Sequence, residues 1–187
     1  MSYTKNRRML KGAVAAALIM LVAACATISE PPLLQAAAKG DLRKVQALVE
    51  QGTDVNVADQ QGNTALMLAS RNNEEPVASY LMNRGASPFS RDKDGNSTLM
   101  VASAGGNLQI VNNLLLRGAK VNERAQDGTT PLLSAAKHGH LAVIQLLLAR
   151  GADLDARDAH NMTALGYARK GQYRKLIQYL VEAGAPE

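Results

Sequence analysis

The sequence predicts an all-α solenoid of about five helix-turn-helix repeats joined by short β-hairpin-like turns. Three observations carry this reading. Residue types recur at a strict 33-residue period over five rows, without insertion or deletion. Each row holds two short segments whose apolar residues fall three apart, the spacing of one helical face. Gly and Asp-Gly signals stand where helices must end and turns begin.

In chain order, residues 1–24 read as a secretory signal, with Lys5, Arg7, Arg8 and Lys11 ahead of an uncharged apolar run from Gly12 to Ala24. That run is shorter than the roughly 20 helical residues needed to cross a bilayer, so removal is expected rather than a permanent span. Arg7-Arg8 matches a twin-arginine export signal only in part, and the general export route stays open beside it. Cleavage takes four of the 21 basic residues and no acidic one, leaving 17 basic against 16 acidic side chains in place of a formal charge of +5. A nearly neutral chain with 3% aromatic residues and no Trp lacks both the basic field and the stacking platforms of a nucleic-acid binder.

Cys25, the only cysteine, stands in the stretch Val22-Ala23-Ala24-Cys25-Ala26 just after the apolar run. This resembles the lipobox of bacterial lipoproteins, with Val22 where Leu is commoner. The resemblance implies cleavage before Cys25, a covalent lipid on its sulfur as the only attached group, and anchoring in the cell envelope. Ala26 in place of Asp implies the outer membrane, facing the periplasm. A lone Cys in an exported chain has no intramolecular disulfide partner, which agrees. Residues 25–31 are then the lipidated cysteine and a short tether, and 32–187 the repeat domain.

The rows run approximately 32–58, 59–91, 92–124, 125–157 and 158–187. Four columns are invariant: Leu33, Leu66, Leu99, Leu132 and Leu165; Ala36, Ala69, Ala102, Ala135 and Ala168; Leu48, Leu81, Leu114, Leu147 and Leu180; Gly52, Gly85, Gly118, Gly151 and Gly184. A fifth stays aliphatic as Val45, Ala78, Val111, Ile144 and Ile177. The Leu and Ala columns give two amphipathic helices per row. The Gly column suits a left-handed helix end. Extended pieces are expected at Val55-Asn56-Val57 and Val121-Asn122, followed by turns at Asp94-Gly95 and Asp127-Gly128. Thr64, Ser97, Thr130 and Thr163 are placed to cap the next helix, with Pro131 at a first helical position.

The fragments Gly128-Thr129-Thr130-Pro131-Leu132, Ala135-Ala136-Lys137-His138-Gly139-His140-Leu141 and Leu146-Leu147-Leu148-Ala149-Arg150-Gly151-Ala152-Asp153 resemble the ankyrin repeat, and the likeness extends over residues 32 to 187. Departures from the family pattern carry expectations of their own. Met67, Met100, Leu133 and Gly166 replace the usual His, which implies a more apolar layer. Glu75-Pro76 replaces the apolar residue seen at Leu42, Leu108 and Leu141, and an irregular second helix is expected in row two. Arg174 and Pro31-Pro32 suit the polar ends of a stack.

No catalytic or metal constellation assembles from the sequence. His138 and His140 have no Cys or carboxylate at ligand spacing. Asp92-Lys93-Asp94-Gly95-Asn96 opens like a calcium loop, but Ser103 stands where a closing Glu is needed. No phosphate loop or nucleophile elbow is present. An interaction module and not an enzyme is expected, with no metal, nucleic acid or small-molecule substrate, and a monomeric state.

The resemblance places a protein partner on the concave side formed by turn tips and first helices. Mapped onto this chain, that surface includes Gln60, Gln61, Asn63, Arg71, Asn72, Arg91, Lys93, Asp94, Asn96, Arg124, Gln126, Asp127, Thr129, Lys137, His138, Arg157, His160, Met162 and Lys170. Arg91, Arg124 and Arg157 recur at the repeat period and are expected to form an exposed basic ladder that favours an acidic partner. Pairing with Asp92 and Asp158 would be the way its charge is absorbed, and reversal to Glu is expected to cost little stability. Function is read as a periplasm-facing lipoprotein adaptor, with an immunity-type protein or an accessory of a periplasmic enzyme as alternatives.

Overall fold

The structure is a computed structural model and describes residues 30–186. The chain divides into two units, Met1–Glu30 and Pro31–Glu187, and every helix among the described residues belongs to the second. Cys25 and the signal segment lie outside the described residues.

Ten helices make up the fold among the described residues: α1 Pro32–Ala38, α2 Leu42–Glu50, α3 Ala65–Arg71, α4 Glu75–Asn83, α5 Thr98–Gly105, α6 Leu108–Leu116, α7 Pro131–Lys137, α8 Leu141–Ala149, α9 Ala164–Lys170 and α10 Arg174–Glu182. They alternate as a first and a second helix per repeat. The first helices stack in order, α1 on α3, α3 on α5, α5 on α7 and α7 on α9, while α2, α4, α6 and α8 pair more loosely behind them. This is an all-α ankyrin-type solenoid, and each helix is too short to be stable without its neighbours.

Local chemistry sets the boundaries. Thr64, Ser97, Thr130 and Thr163 each sit at an N-cap, and their hydroxyls accept from the N–H of Met67, Met100, Leu133 and Gly166. Pro131 is the first residue of α7 and is buried there. The glycines that close the second helices have φ near +80 to +90°, a conformation that an L side chain resists. The Leu column of the first helices is at most 1% exposed from Leu33 to Leu165. Met67, Met100 and Leu133 are equally buried, so the layer is as apolar as expected. Arg174 is exposed at the start of α10.

Two expectations are corrected. The second helix of row two is regular: α4 has nine residues like its counterparts. Pro76 falls in its first turn, where a missing N–H leaves no bond unmade. Glu75 takes the first helical position, half-buried, and its carboxylate accepts from the Ser79 hydroxyl at 2.7 Å. The apolar residue it replaces lies at the edge of the core, where Leu42 and Leu141 are half-buried and Leu108 is 46% exposed. The second correction concerns Val55-Asn56-Val57 and Val121-Asn122, which are turns and not extended pieces. Asp54 accepts the Asn56 N–H at 2.9 Å through its side chain and the Val57 N–H at 3.2 Å through its carbonyl. Antiparallel pairing is confined, among the described residues, to single bridges at Ala58 with Thr64 and Arg91 with Ser97.

Candidate partner-binding surface

The turns between repeats are built on one plan. Main-chain bonds close them from Asp59 to Asn63, Asp92 to Asn96, Ala125 to Thr129 and Asp158 to Met162, at 2.9 to 3.3 Å. Inside the turns an Asp carboxylate gathers the N–H groups. Asp92 accepts from Asp94 and Asn96 at 3.0 and 2.8 Å, and Asp59 accepts from Gln61 and Asn63 at 2.8 Å. The calcium-like spelling of 92–96 is thus an Asp-centred turn whose carboxylate is already occupied. No group of three or more His, Cys, Asp or Glu placed to hold a metal ion occurs among the described residues.

Neighbouring turns are then joined tip to tip. Lys93 N–H donates to Gln61 O at 2.8 Å, Gln126 N–H to Asp94 O at 3.1 Å and Ala159 N–H to Asp127 O at 2.7 Å. Gln126 Nε2 adds a bond to Lys93 O at 2.8 Å, and the Thr129 N–H and hydroxyl both reach the Asp127 carboxylate at 2.9 Å. The side chains of Lys93 and Asp94 stay exposed on this stiff row.

Arg91, Arg124 and Arg157 do recur along it, but their guanidinium groups are engaged by the backbone. Arg91 Nη1 donates to Gly95 O at 2.6 Å and to Arg124 O at 3.3 Å, and Nη2 meets Glu123 at 2.7 Å. Arg124 bonds Gly128 O at 3.4 Å and Arg157 O at 3.0 Å, with Asp153 at 3.9 Å. Arg157 bonds Asn161 O at 3.2 Å. The pairing partners are therefore Glu123 and Asp153, not Asp92 and Asp158, whose carboxylates face their own turns. Arg91 and Arg124 clamp turn to turn and Arg157 holds its own turn, which corrects the expectation of a merely exposed ladder.

Asp158 is the most enclosed of the turn carboxylates, at 7% exposure. Burial pushes its carboxyl up. The bonds from the Tyr167 hydroxyl and from the N–H groups of Met162 and His160, with the His160 imidazole nearby, outweigh that and hold it below the ordinary value of 3.8. Tyr167 is pushed up to about 12, by burial first, then by its bond to Asp158 and the charges of Asp158 and Asp127.

On the first helices, Asn72 and His138 are spent on structure. Asn72 Nδ2 donates to Ala38 O at 2.7 Å, and His138 Nδ1 lies 2.9 Å from Ser134 O. His140 Nε2 reaches Ala104 O at 2.9 Å, tying two repeats together, so neither ring is arranged as a metal ligand. Asn96 is held by Asp92 at 2.9 Å. His160, Lys137 and Lys170 are exposed, and Met162 is half-buried. Arg71 and Asn96 come together with Met100, Val101, Ala104 and Ser134 around a recess of about 180 Å³. Arg71 is aimed by Asn63 Oδ1 at 2.9 Å. The recess exists because small residues end α5: the repeat places Arg71, Lys137 and Lys170 in the column where this helix has Ala104. A Cβ on neighbouring Gly105 would lie 2.4 Å from Ser70 O, so α5 approaches the end of α3 as only Gly allows.

A second arginine ladder was missed. Arg84, Arg117 and Arg150 cap successive second helices and each reaches back one repeat, to Glu50 at 3.6 Å, Asn83 at 2.8 Å and Asn112 at 2.8 Å. Its 33-residue spacing was available in the sequence. The Asp158–Tyr167 pair was missed as well, and the Tyr in an otherwise smaller column was its signal.

A family model described as ankyrin repeats (3 copies) matches residues 33–125 and 99–186. The chain is also similar to ankyrin repeat domain-containing protein 40 of Mus musculus and of Homo sapiens, 49% identical over 55 residues in each case. That likeness spans 29% of this chain and 15% of those relatives.

Proposed function

Since the chain belongs to the ankyrin-repeat family, whose repeats are protein–protein interaction modules, we propose that it is an envelope-anchored adaptor that binds a protein partner on its turn tips and first helices. The lipobox-like Val22-Ala23-Ala24-Cys25 supports a lipid anchor on Cys25 and a position on the periplasmic side of the outer membrane. Six residues from Ala26 to Pro31 reach roughly 20 Å when extended, so the partner meets the domain close to the bilayer.

The observation that carries the binding reading is the recess beside Arg71. It combines a guanidinium held in place by Asn63 with Met100, Val101 and Ser134 of the stacked first helices, next to a row of turns already bonded to one another. A surface ordered in advance loses little freedom on binding. The cation favours a partner segment bearing a carboxylate next to an apolar side chain.

Crosslinking in cells with wild-type protein and with Ala104→Lys tests this. Lys fills the recess with a side chain that the same column already carries at Lys137 and Lys170. Capture of a specific protein by the wild type and its loss with Ala104→Lys, at unchanged helical signal, is the expected result. Equal capture by both proteins would overturn the reading.

A further inference from the structure

Phe89 breaks the pattern of the loop it occupies. At the same place in other repeats, Asn56 and Asn122 tie their loops to the next repeat. Asn56 accepts the Ser87 N–H at 2.8 Å and donates to Gly85 O at 3.5 Å; Asn122 accepts the Asp153 N–H at 2.8 Å and donates to Gly151 O at 2.9 Å. Phe89, the only Phe in the chain, can make neither bond and stands 57% exposed against Gly118. Two residues before Gly118, Leu116 is 69% exposed. It lines a groove of about 370 Å³ between α4 and α6, together with Ser79, Met82, Asn83, Asn113 and Arg117.

The charges around this groove are mostly basic: the Glu75 carboxylate, which accepts from the lining Ser79 hydroxyl at 2.7 Å, is outnumbered by Arg117, Arg84 and Lys120. Arg117 rests on the neutral amide of Asn83, so its charge is not compensated there. Arg84 lies over the Tyr80 ring and shares a loose, solvent-exposed pair with Glu50, and Lys120 is exposed in the loop after α6. A local rule broken with no gain to the fold is expected where function takes over. Exposed aromatic and leucine side chains in a polar rim mark a contact surface.

We propose that the groove between α4 and α6, with Phe89 beside it, is a second docking surface, and that it takes an acidic amphipathic helix of a protein partner. A leucine-type side chain enters over Met82, whose unbranched thioether adapts to it, and carboxylates on the same helix meet Arg117 and Lys120. A recessed groove suits an inserted side chain rather than the flat surface of a bilayer. This surface lies on the second helices and goes beyond the recess at Arg71, on which it does not depend.

The test titrates the full-length protein with a synthetic helical peptide that carries a leucine stripe flanked by glutamates, and with its lysine-for-glutamate counterpart. The glutamate peptide is expected to bind more tightly than the lysine one. Leu116→Ser and Phe89→Asn should each weaken it at least about tenfold, as loss of an anchor residue does. Ala104→Lys should bind it as the wild type does, which separates failure of this surface from failure of the recess. Absence of binding, or binding indifferent to both outer-face substitutions, overturns the proposal. So does Leu116-dependent binding to phosphatidylglycerol vesicles in place of the peptide, or self-association that Leu116→Ser abolishes.

Discussion

The guanidinium of Arg91 donates to the main-chain oxygen of Arg124 at 3.3 Å, and Arg124 repeats the contact on Arg157 at 3.0 Å. Each clamp joins two repeats, and in a solenoid the interfaces between neighbours carry much of the stability. Charge-assisted bonds are worth about 1.5–3 kcal/mol at best, but Arg124 is 49% exposed and shares its donors with water. We therefore expect Arg124→Ala to cost about 1 kcal/mol, a Tm lower by about 2–4 °C for a chain of this size. Arg124→Lys keeps the charge without the fork and should recover only part of that loss. A Lys variant melting with the wild type would show that charge alone matters.

Asp158 and Tyr167 set opposite ends of the pH range. Asp158 is held below 3.8, so its contribution is complete above about pH 4 and is lost as pH falls through the folded-state value. Tyr167 holds its proton to about 12 when folded, against 10.0 when unfolded, so its contribution is complete below pH 10 and is lost as pH rises towards 12. Tyr167→Phe should flatten the stability curve between pH 10 and 12 and move the acid limb to higher pH, because Asp158 loses a donor. Denaturant titrations across pH read both limbs. An unchanged alkaline limb would sink the assignment.

The fold was legible because its signals are local and repeat: cap hydroxyls at Thr64 and Thr130, Leu and Ala three apart, and Gly after each second helix need no knowledge of neighbours. What was hidden depends on where a side chain lands in the next repeat. Arg91 and Arg84 look alike as periodic cations, yet one reaches forward to a turn carbonyl and the other back to Glu50. Leu115 and Leu116 stand side by side in α6, and only the helix orientation makes one half-buried and the other exposed. The recess at Ala104 was invisible for a related reason, since it is made by what Arg71 and Lys137 have and Ala104 lacks.

Cys25→Ser removes the only thiol that could carry the proposed lipid. The substituted protein is expected in the soluble fraction, or as an uncleaved precursor of higher mass, while the wild type sediments with membranes after a carbonate wash. Retention in the membrane pellet at the mature mass would exclude lipid on Cys25 as the anchor.

Phe89→Asn should make the protein more stable, which is unusual for a single substitution. The backbone turns at Phe89 as it does at Asn56 and Asn122. By the same spacing, an Asn there would accept the Lys120 N–H and donate to Gly118 O. Each bond is worth about 0.5–1.5 kcal/mol net, lowered here by exposure. The Phe ring gives up little in exchange, because more than half of it is already in water. A gain of about 1 kcal/mol is expected, or a Tm higher by about 2–4 °C. The gain should vanish when Gly118 and Lys120 can no longer be reached, as in a chain with a Gly inserted after Pro88. If Phe89→Asn melts below the wild type, the ring is a packed part of the loop and its exposure carries no functional meaning.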